Sequence, residues 1–180
     1  MLIKPNMLLV AGQQQNVGKT TFACNVISEF SNKYAITAIK VTPHFHKSTG
    51  KANLSINKKG YQIFQETSVD SNKDTSRMLK AGAMQSWLLQ AEPTFLLQGL
   101  QEFLSMIPEN HMVVCESAGV REHLIPGVFL ALKLPGNIEL STGDENMFRL
   151  ADRIVTFYGK NFDFSPDELT IENGRWNIRK

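Results

Sequence analysis

A short apolar run, Met7-Leu8-Leu9-Val10-Ala11, is followed by Gly12-Gln13-Gln14-Gln15-Asn16-Val17-Gly18-Lys19-Thr20-Thr21 and then by a helical pattern that begins near Lys19. A strand, a tight loop, Gly-Lys-Thr and a helix in that order leave little choice of architecture, because the loop must join a buried strand to a first helical turn. They also point to a ligand. The N–H groups of such a loop and turn have no partner inside the helix, and the oxygens of a nucleoside polyphosphate supply one. Gln15, Asn16, Val17, Gly18, Lys19, Thr20 and Thr21 are therefore the expected nucleotide-binding residues. Gly18 lets the backbone approach closely, Lys19 adds a charge between the outer phosphates, and the Thr20 hydroxyl is suited to ligating Mg²⁺. The usual pattern is G-x-x-x-x-G-K-[ST]; here Gln13 stands at the first glycine position and Gly12 sits one place earlier. A chance Gly-Lys-Thr, or a phosphate loop that has lost activity, are the alternatives.

The rest of the chain alternates between strand and helix patterns. Leu8–Ala11, Ala35–Val41, His111–Glu116, Gly127–Leu134 and Arg153–Tyr158 read as strands. Thr20–Ser31 reads as a helix with Phe22, Val26, Ile27 and Phe30 on one side. A second helix is expected from Pro93, a favoured first-turn residue, to about Ile107. Its Leu96, Leu100, Phe103, Leu104 and Ile107 recur at helical spacing and read as core. This order predicts an α/β fold, a doubly wound and mostly parallel sheet flanked by helices, in one domain over 1–180. Ligands of such sheets bind beyond the carboxyl ends of the strands. The segment 47–73, rich in Lys, Asn, Ser and Gly with an alternating stretch at Tyr61–Glu66, reads as an excursion with a small β-hairpin, serving as a substrate lid or, preferred here, merely as a mobile loop. Leu169–Ile178 reads as a C-terminal hairpin turning at Asn173-Gly174, with Trp176 for packing.

Bulk properties exclude several classes. A net charge of +2 implies no polyanion-binding surface and hence no nucleic-acid partner. No apolar run approaches the ~20 residues that span a bilayer, and Met1-Leu2-Ile3-Lys4-Pro5 does not resemble a signal peptide. Cys24 and Cys115 both read as small buried residues, and such sparse cysteine usage suits the cytoplasm.

Two further strand ends carry charge. Lys40, in Ile39-Lys40-Val41-Thr42-Pro43-His44, is costly at the end of a buried strand unless something anionic pairs with it; the alternative is a lysine that snorkels to solvent. Glu116, in Val113-Val114-Cys115-Glu116-Ser117-Ala118-Gly119, stands where a water-mediated Mg²⁺ contact or a base for water is expected. Asp74, in Lys73-Asp74-Thr75-Ser76-Arg77, reads from its position as a helix N-cap.

Ile39-Lys40-x-Thr42-x-His44, Lys73-Asp74-x-Ser76 and Lys80-Ala81-Gly82-Ala83 together resemble the molybdopterin-guanine dinucleotide biosynthesis protein B family (MobB), a small nucleotide-binding family of the SIMIBI branch of P-loop proteins. The resemblance covers roughly the first two thirds of the chain in short patches. It implies an accessory role in cofactor biosynthesis, with a cofactor-biosynthesis protein as partner, dimerisation, and slow hydrolysis of ATP or GTP. It places Lys19 and Thr20 on phosphates and Mg²⁺, and Asp74 and Glu116 around the metal and its waters. Lys19, Lys40, Asp74 and Glu116 become the expected catalytic residues, and Thr20, Asp74 and Glu116 the metal group. The link from His44 to Asp74 is longer than the family's, and Glu116 precedes Ser117 rather than Gly. The loop spacing, Lys40 and Glu116-Ser117-Ala118-Gly119 resemble dethiobiotin synthetase instead. That implies an ATP-dependent ligase acting on a small-molecule substrate, with Lys40 stabilising charge in the transferred group. A third reading is a non-enzymatic scaffold that binds a partner through 47–73 with nucleotide as its switch.

His44 and His46 would share one strand face and suit a metal, but two histidines are an incomplete site and a solvated loop is the alternative. His111 and His123 read as surface or edge residues. Leu132-Lys133-Leu134-Pro135 occupies a place where a guanine-reading motif would sit, without its Asp, so the base remains open.

Overall fold

The computed structural model describes residues 1–45, 53–136 and 141–179. In chain order its elements are β1 (Leu2–Gly12), α1 (Lys19–Phe30), β2 (Ile36–Thr42), β3 (Asn53–Lys58), β4 (Tyr61–Gln65), α2 (Asp74–Lys80), β5 (Gln85–Ala91), α3 (Leu96–Met106), β6 (Met112–Glu116), β7 (Leu124–Lys133), α4 (Thr142–Leu150), β8 (Arg153–Thr156), β9 (Leu169–Glu172) and β10 (Arg175–Ile178). The first eight strands form one sheet in the order β3-β4-β5-β2-β6-β1-β7-β8. From β5 to β8 every pairing is parallel, while β4 joins β5 and β3 joins β4 antiparallel.

The sheet has two buried faces, and the strand residues divide between them by alternation. Leu8, Val10, Ala38 and Val114 share a core with Phe22, Val26 and Ile27 of α1 and Met78 of α2. Met7, Leu9, Ala11, Ile39, Val113 and Cys115 share the other with Leu100 and Phe103 of α3, and Met147 and Phe148 of α4 pack against it. Helices thus cover both faces of a mostly parallel sheet. Strands buried on both sides read as continuous apolar runs, which is why β1, β6 and β7 were visible in the sequence.

Several elements depart from the sequence reading. β1 begins at Leu2, not Leu8, with a register shift against β7 between Lys4 and Leu8. Pro5 lies in that irregular stretch, where its missing N–H is tolerated. β5 has no counterpart among the expected strands, since its Gln, Leu and Ala favour helices. Its position between β4 and β2 overrides that preference. The hairpin expected within 47–73 is present over 53–65, but it is built into the sheet through β4, with buried Tyr61, Ile63 and Phe64, and is not the free loop preferred from sequence; residues 47–52 of that excursion lie outside the described residues. A 3-10 turn at Pro93–Phe95 precedes α3, so the α-helix proper starts at Leu96. Arg153–Tyr158 is shorter as a strand, ending at Thr156, and Phe157 instead forms a single bridge with Phe162.

The C-terminal hairpin turns where expected. Asn173 and Gly174 have φ of 51° and 72°, the left-handed pair of a type I′ turn. Trp176 is fully buried and meets Phe30 edge-on at 5.0 Å, so packing is its role. Cys115 is buried as expected, whereas Cys24 is only half-buried on α1. His111, expected at the surface or an edge, is buried beside the start of β6, and its Nδ1 lies 2.8 Å from the Thr37 hydroxyl. Among the described residues no helix is long and apolar enough to cross a membrane.

Candidate functional site

The parallel register alone brings three strand ends together. Val10 on β1 and Lys40 on β2 both lie opposite Glu116 on β6, so Lys40 and Glu116 are lateral neighbours at the carboxyl edge of the sheet. Both side chains rise on the face that α1 covers. β1 feeds α1 through the Gly12–Gly18 loop, and the N-terminus of α1 opens over the same edge. A cleft of about 520 Å³ forms there, lined by Gln15, Asn16, Gly18, Lys19, Thr20, Thr21, Lys40, Thr42, His44, Asp74, Arg77, Glu116 and Phe157.

The loop is shaped by two glycines. Gly18 has φ of 82°, and a Cβ there would lie 2.9 Å from the Phe157 ring. A Cβ on Gly12 would lie 2.7 Å from Val17 Cγ1 and 3.2 Å from the Leu132 carbonyl oxygen. Val17 itself is fully buried, so its side chain anchors the loop in the core while the exposed Gln15 and Asn16 form the rim. Phe22 N–H donates to the Gly18 carbonyl at 2.8 Å and opens the helical ladder. The N–H groups of Lys19, Thr20 and Thr21 precede that ladder and form the first turn of α1. The Lys19 ammonium donates to the Gln14 carbonyl at 2.6 Å, which uses one of its three N–H donors.

The charged floor is a chain of contacts centred on Lys40. Its ammonium donates to Glu116 Oε1 at 2.8 Å and to Asp74 Oδ2, and the Thr20 hydroxyl donates to Glu116 Oε2 at 2.7 Å. Burial by itself would depress the Lys40 pKa. The charge of Glu116 and the hydrogen bonds to Asp74 and Glu116 outweigh it, and the pKa is raised. At Lys19 burial wins, helped by the like charge of Lys40, over attraction from Glu116 and Asp74, and the pKa is lowered. Glu116 is 2% exposed, and both of its oxygens accept from donors inside the site.

Asp74 is not the helix cap expected of it. Lys73 is the N-cap of α2, and Asp74 is the first helical residue, directed at Lys40. The next residue, Thr75, is tied to buried Glu66, which accepts from the Thr75 hydroxyl at 2.9 Å and from the N–H groups of Thr67 and Ser68 at 3.0 Å each. Arg77, three residues after Asp74, lies 3.6 Å from Asp74 Oδ1 and donates to the Thr21 hydroxyl at 3.1 Å. Sequence reasoning gave no role to Arg77, Glu66 or Phe157. The i, i+3 spacing of Asp74 and Arg77 was a usable signal; nothing local marked the other two. Lys40 is a partnered lysine, not one that merely snorkels. His44 lines the cleft and its backbone N–H bonds the Thr42 hydroxyl at 3.2 Å, while His46 lies outside the described residues. Among the described residues no group of three or more His, Cys, Asp or Glu forms a metal cluster.

No protein-family model, curated protein or solved structure matches this chain. The site therefore stands on its geometry. Lys19, Thr20, Lys40, Asp74 and Glu116 come from α1, β2, α2 and β6, and all five line one cleft. The cations suit an anionic ligand and the oxygens a hard cation. Val17 is the one expected residue whose side chain stays out of it.

Proposed function

We propose that the protein is a Mg²⁺-dependent nucleoside-triphosphate-binding protein with slow hydrolysis, acting like the MobB family in an accessory step of cofactor biosynthesis. The observation that carries the reading is the Lys19–Thr20 turn of α1 facing Lys40, Asp74 and Glu116 across one cleft at the sheet's carboxyl edge. Loop and first-turn amides bind phosphate oxygens, Lys19 adds charge, and Lys40 extends the positive field toward the terminal phosphate. Magnesium fits the donor set: the Thr20 hydroxyl keeps its lone pairs while donating to Glu116, and the Glu116 and Asp74 carboxylates, already held by Lys40, are hard oxygens suited to accepting from the metal's waters. The metal would neutralise charge on the phosphoryl group.

Titration calorimetry with ATP and with GTP in excess Mg²⁺ tests the proposal. Saturable heats that weaken sharply in Lys19→Ala support it; equal heats for wild type and variant defeat it.

Lys40 also favours a second reading, a dethiobiotin synthetase-like ligase, because its ammonium lines the cleft and could meet a transferred carboxyl or phosphoryl group. In that case Lys40→Ala keeps nucleotide affinity but abolishes phosphate release stimulated by an amine or carboxylate metabolite. Absence of any such stimulation in the wild type removes this reading.

A further inference from the structure

Among the described residues, Phe157 is the one phenyl ring on the cleft wall, which it shares with the imidazole of His44. It follows β8 directly and is half-buried, with its ring close to Gly18. It is the end of a continuous series of rings. Phe157 stacks on Phe162 at 4.8 Å with planes 29° apart, Phe162 meets Phe22 of α1 edge-on at 5.0 Å, and Phe22 stacks on Phe164 at 6.2 Å.

The backbone around Phe157 is pinned. Its N–H donates to the Lys133 carbonyl at 2.9 Å, Tyr158 N–H donates to Asn161, and Asp163 accepts from Thr156 N–H at 2.7 Å. Phe162 supports one face of the ring, so the ring does not have to be ordered when something flat arrives on the cleft side. That preorganisation favours stacking, which needs a rigid aromatic surface at low entropy cost.

We propose that Phe157 is a stacking platform for the purine of the bound nucleotide. This rests on the phosphate-binding reading of the loop and deepens it: the ring adjoins Gly18, so a nucleotide whose phosphates lie on the first turn of α1 has its nucleoside end within reach of the ring. Stacking reads the face of a base and not its edge, so Phe157 contributes equally to adenine and guanine.

The test compares ATP, GTP and inorganic tripolyphosphate, each with Mg²⁺, by calorimetry on wild type, Phe157→Ala and Phe157→Leu. Leucine keeps apolar volume against Gly18. The expected result is about a ten-fold loss of affinity for both ATP and GTP in each variant, with tripolyphosphate affinity unchanged. Phe157→Trp should retain binding, and its indole fluorescence should be quenched by ATP and GTP but not by tripolyphosphate. Unchanged ATP and GTP affinity in both variants overturns the platform while leaving the phosphate site standing. Equal loss for tripolyphosphate in both variants also overturns it, because the ring would then be shaping the loop. If wild type binds none of the three, the phosphate reading falls and the platform falls with it.

Discussion

Lys40 and Glu116 stand opposite one another on adjacent parallel strands, and their charged ends meet at 2.8 Å. Neither is comfortable alone, since Glu116 is nearly inaccessible and Lys40 is only 26% exposed. Lys40→Met leaves the carboxylate with one donor fewer and is expected to cost about 1–3 kcal/mol in urea unfolding. Lys40→Met combined with Glu116→Gln should recover part of that loss; a double variant no more stable than the single one argues against the pairing.

The raised pKa of Lys40 gives this contribution a pH signature. A base whose folded pKa exceeds its unfolded value stabilises the fold fully below the ordinary lysine value of about 10.4. The contribution is lost as pH rises through the folded value. The stability advantage of wild type over Lys40→Met should therefore stay level from neutrality to about pH 9.5 and shrink above about pH 10.4. An advantage that already disappears between pH 7 and 9 contradicts it.

Lys19 has the opposite sign. Its pKa is lowered, so the charged form is held at some expense to folding, and that penalty fades as pH climbs toward the ordinary lysine value. Lys19→Met should be at least as stable as wild type at pH 7. It should also bind nucleotide about ten- to a hundred-fold more weakly, the loss of a charge-assisted hydrogen bond. A variant that is both clearly less stable and unimpaired in binding would reverse both halves.

Gly18→Ala should be destabilising without any ligand. The left-handed backbone alone costs a side chain about 1–2 kcal/mol, and the new Cβ would press on Phe157. Thermal unfolding measures it, and a melting temperature equal to that of wild type would show that the loop relaxes freely.

Burial pushes the Cys24 thiol up to about 11 and raises Cys115 as well. At pH 8 the thiolate fraction of Cys24 is then roughly two orders of magnitude below that of a free cysteine. Iodoacetamide labelling of the native protein followed by mass spectrometry should find Cys24 slow and Cys115 unmodified, with Cys24 accelerating up to about pH 11. Rapid labelling of Cys24 at pH 8 contradicts this.

What the sequence disclosed follows from how local each signal is. The loop, Lys40 and Glu116 were legible because they sit at the ends of apolar runs, and parallel strands buried on both faces write such runs plainly. β5 was not, because its residues prefer helices and only its neighbours make it a strand. The cleft role of Asp74 rested on resemblance, since by position it read as a cap. Its partner Lys40 lies 34 residues earlier on β2, and the start of α2 is tied down by Glu66 through Thr75, contacts no local pattern announces. Phe157 was hidden for the same reason: its significance lies in meeting Gly18, a residue from the opposite end of the chain.

The hairpin β3–β4 is spliced between Thr42 and Asp74, and both of those residues line the cleft. The border of the sheet and the acidic wall of the pocket therefore travel as a single stretch of polypeptide. Any insertion or exchange that remodels the outer strands also resets the distance over which the chain must return to deliver Asp74. A lineage that varied this edge would alter its chemistry in the same step.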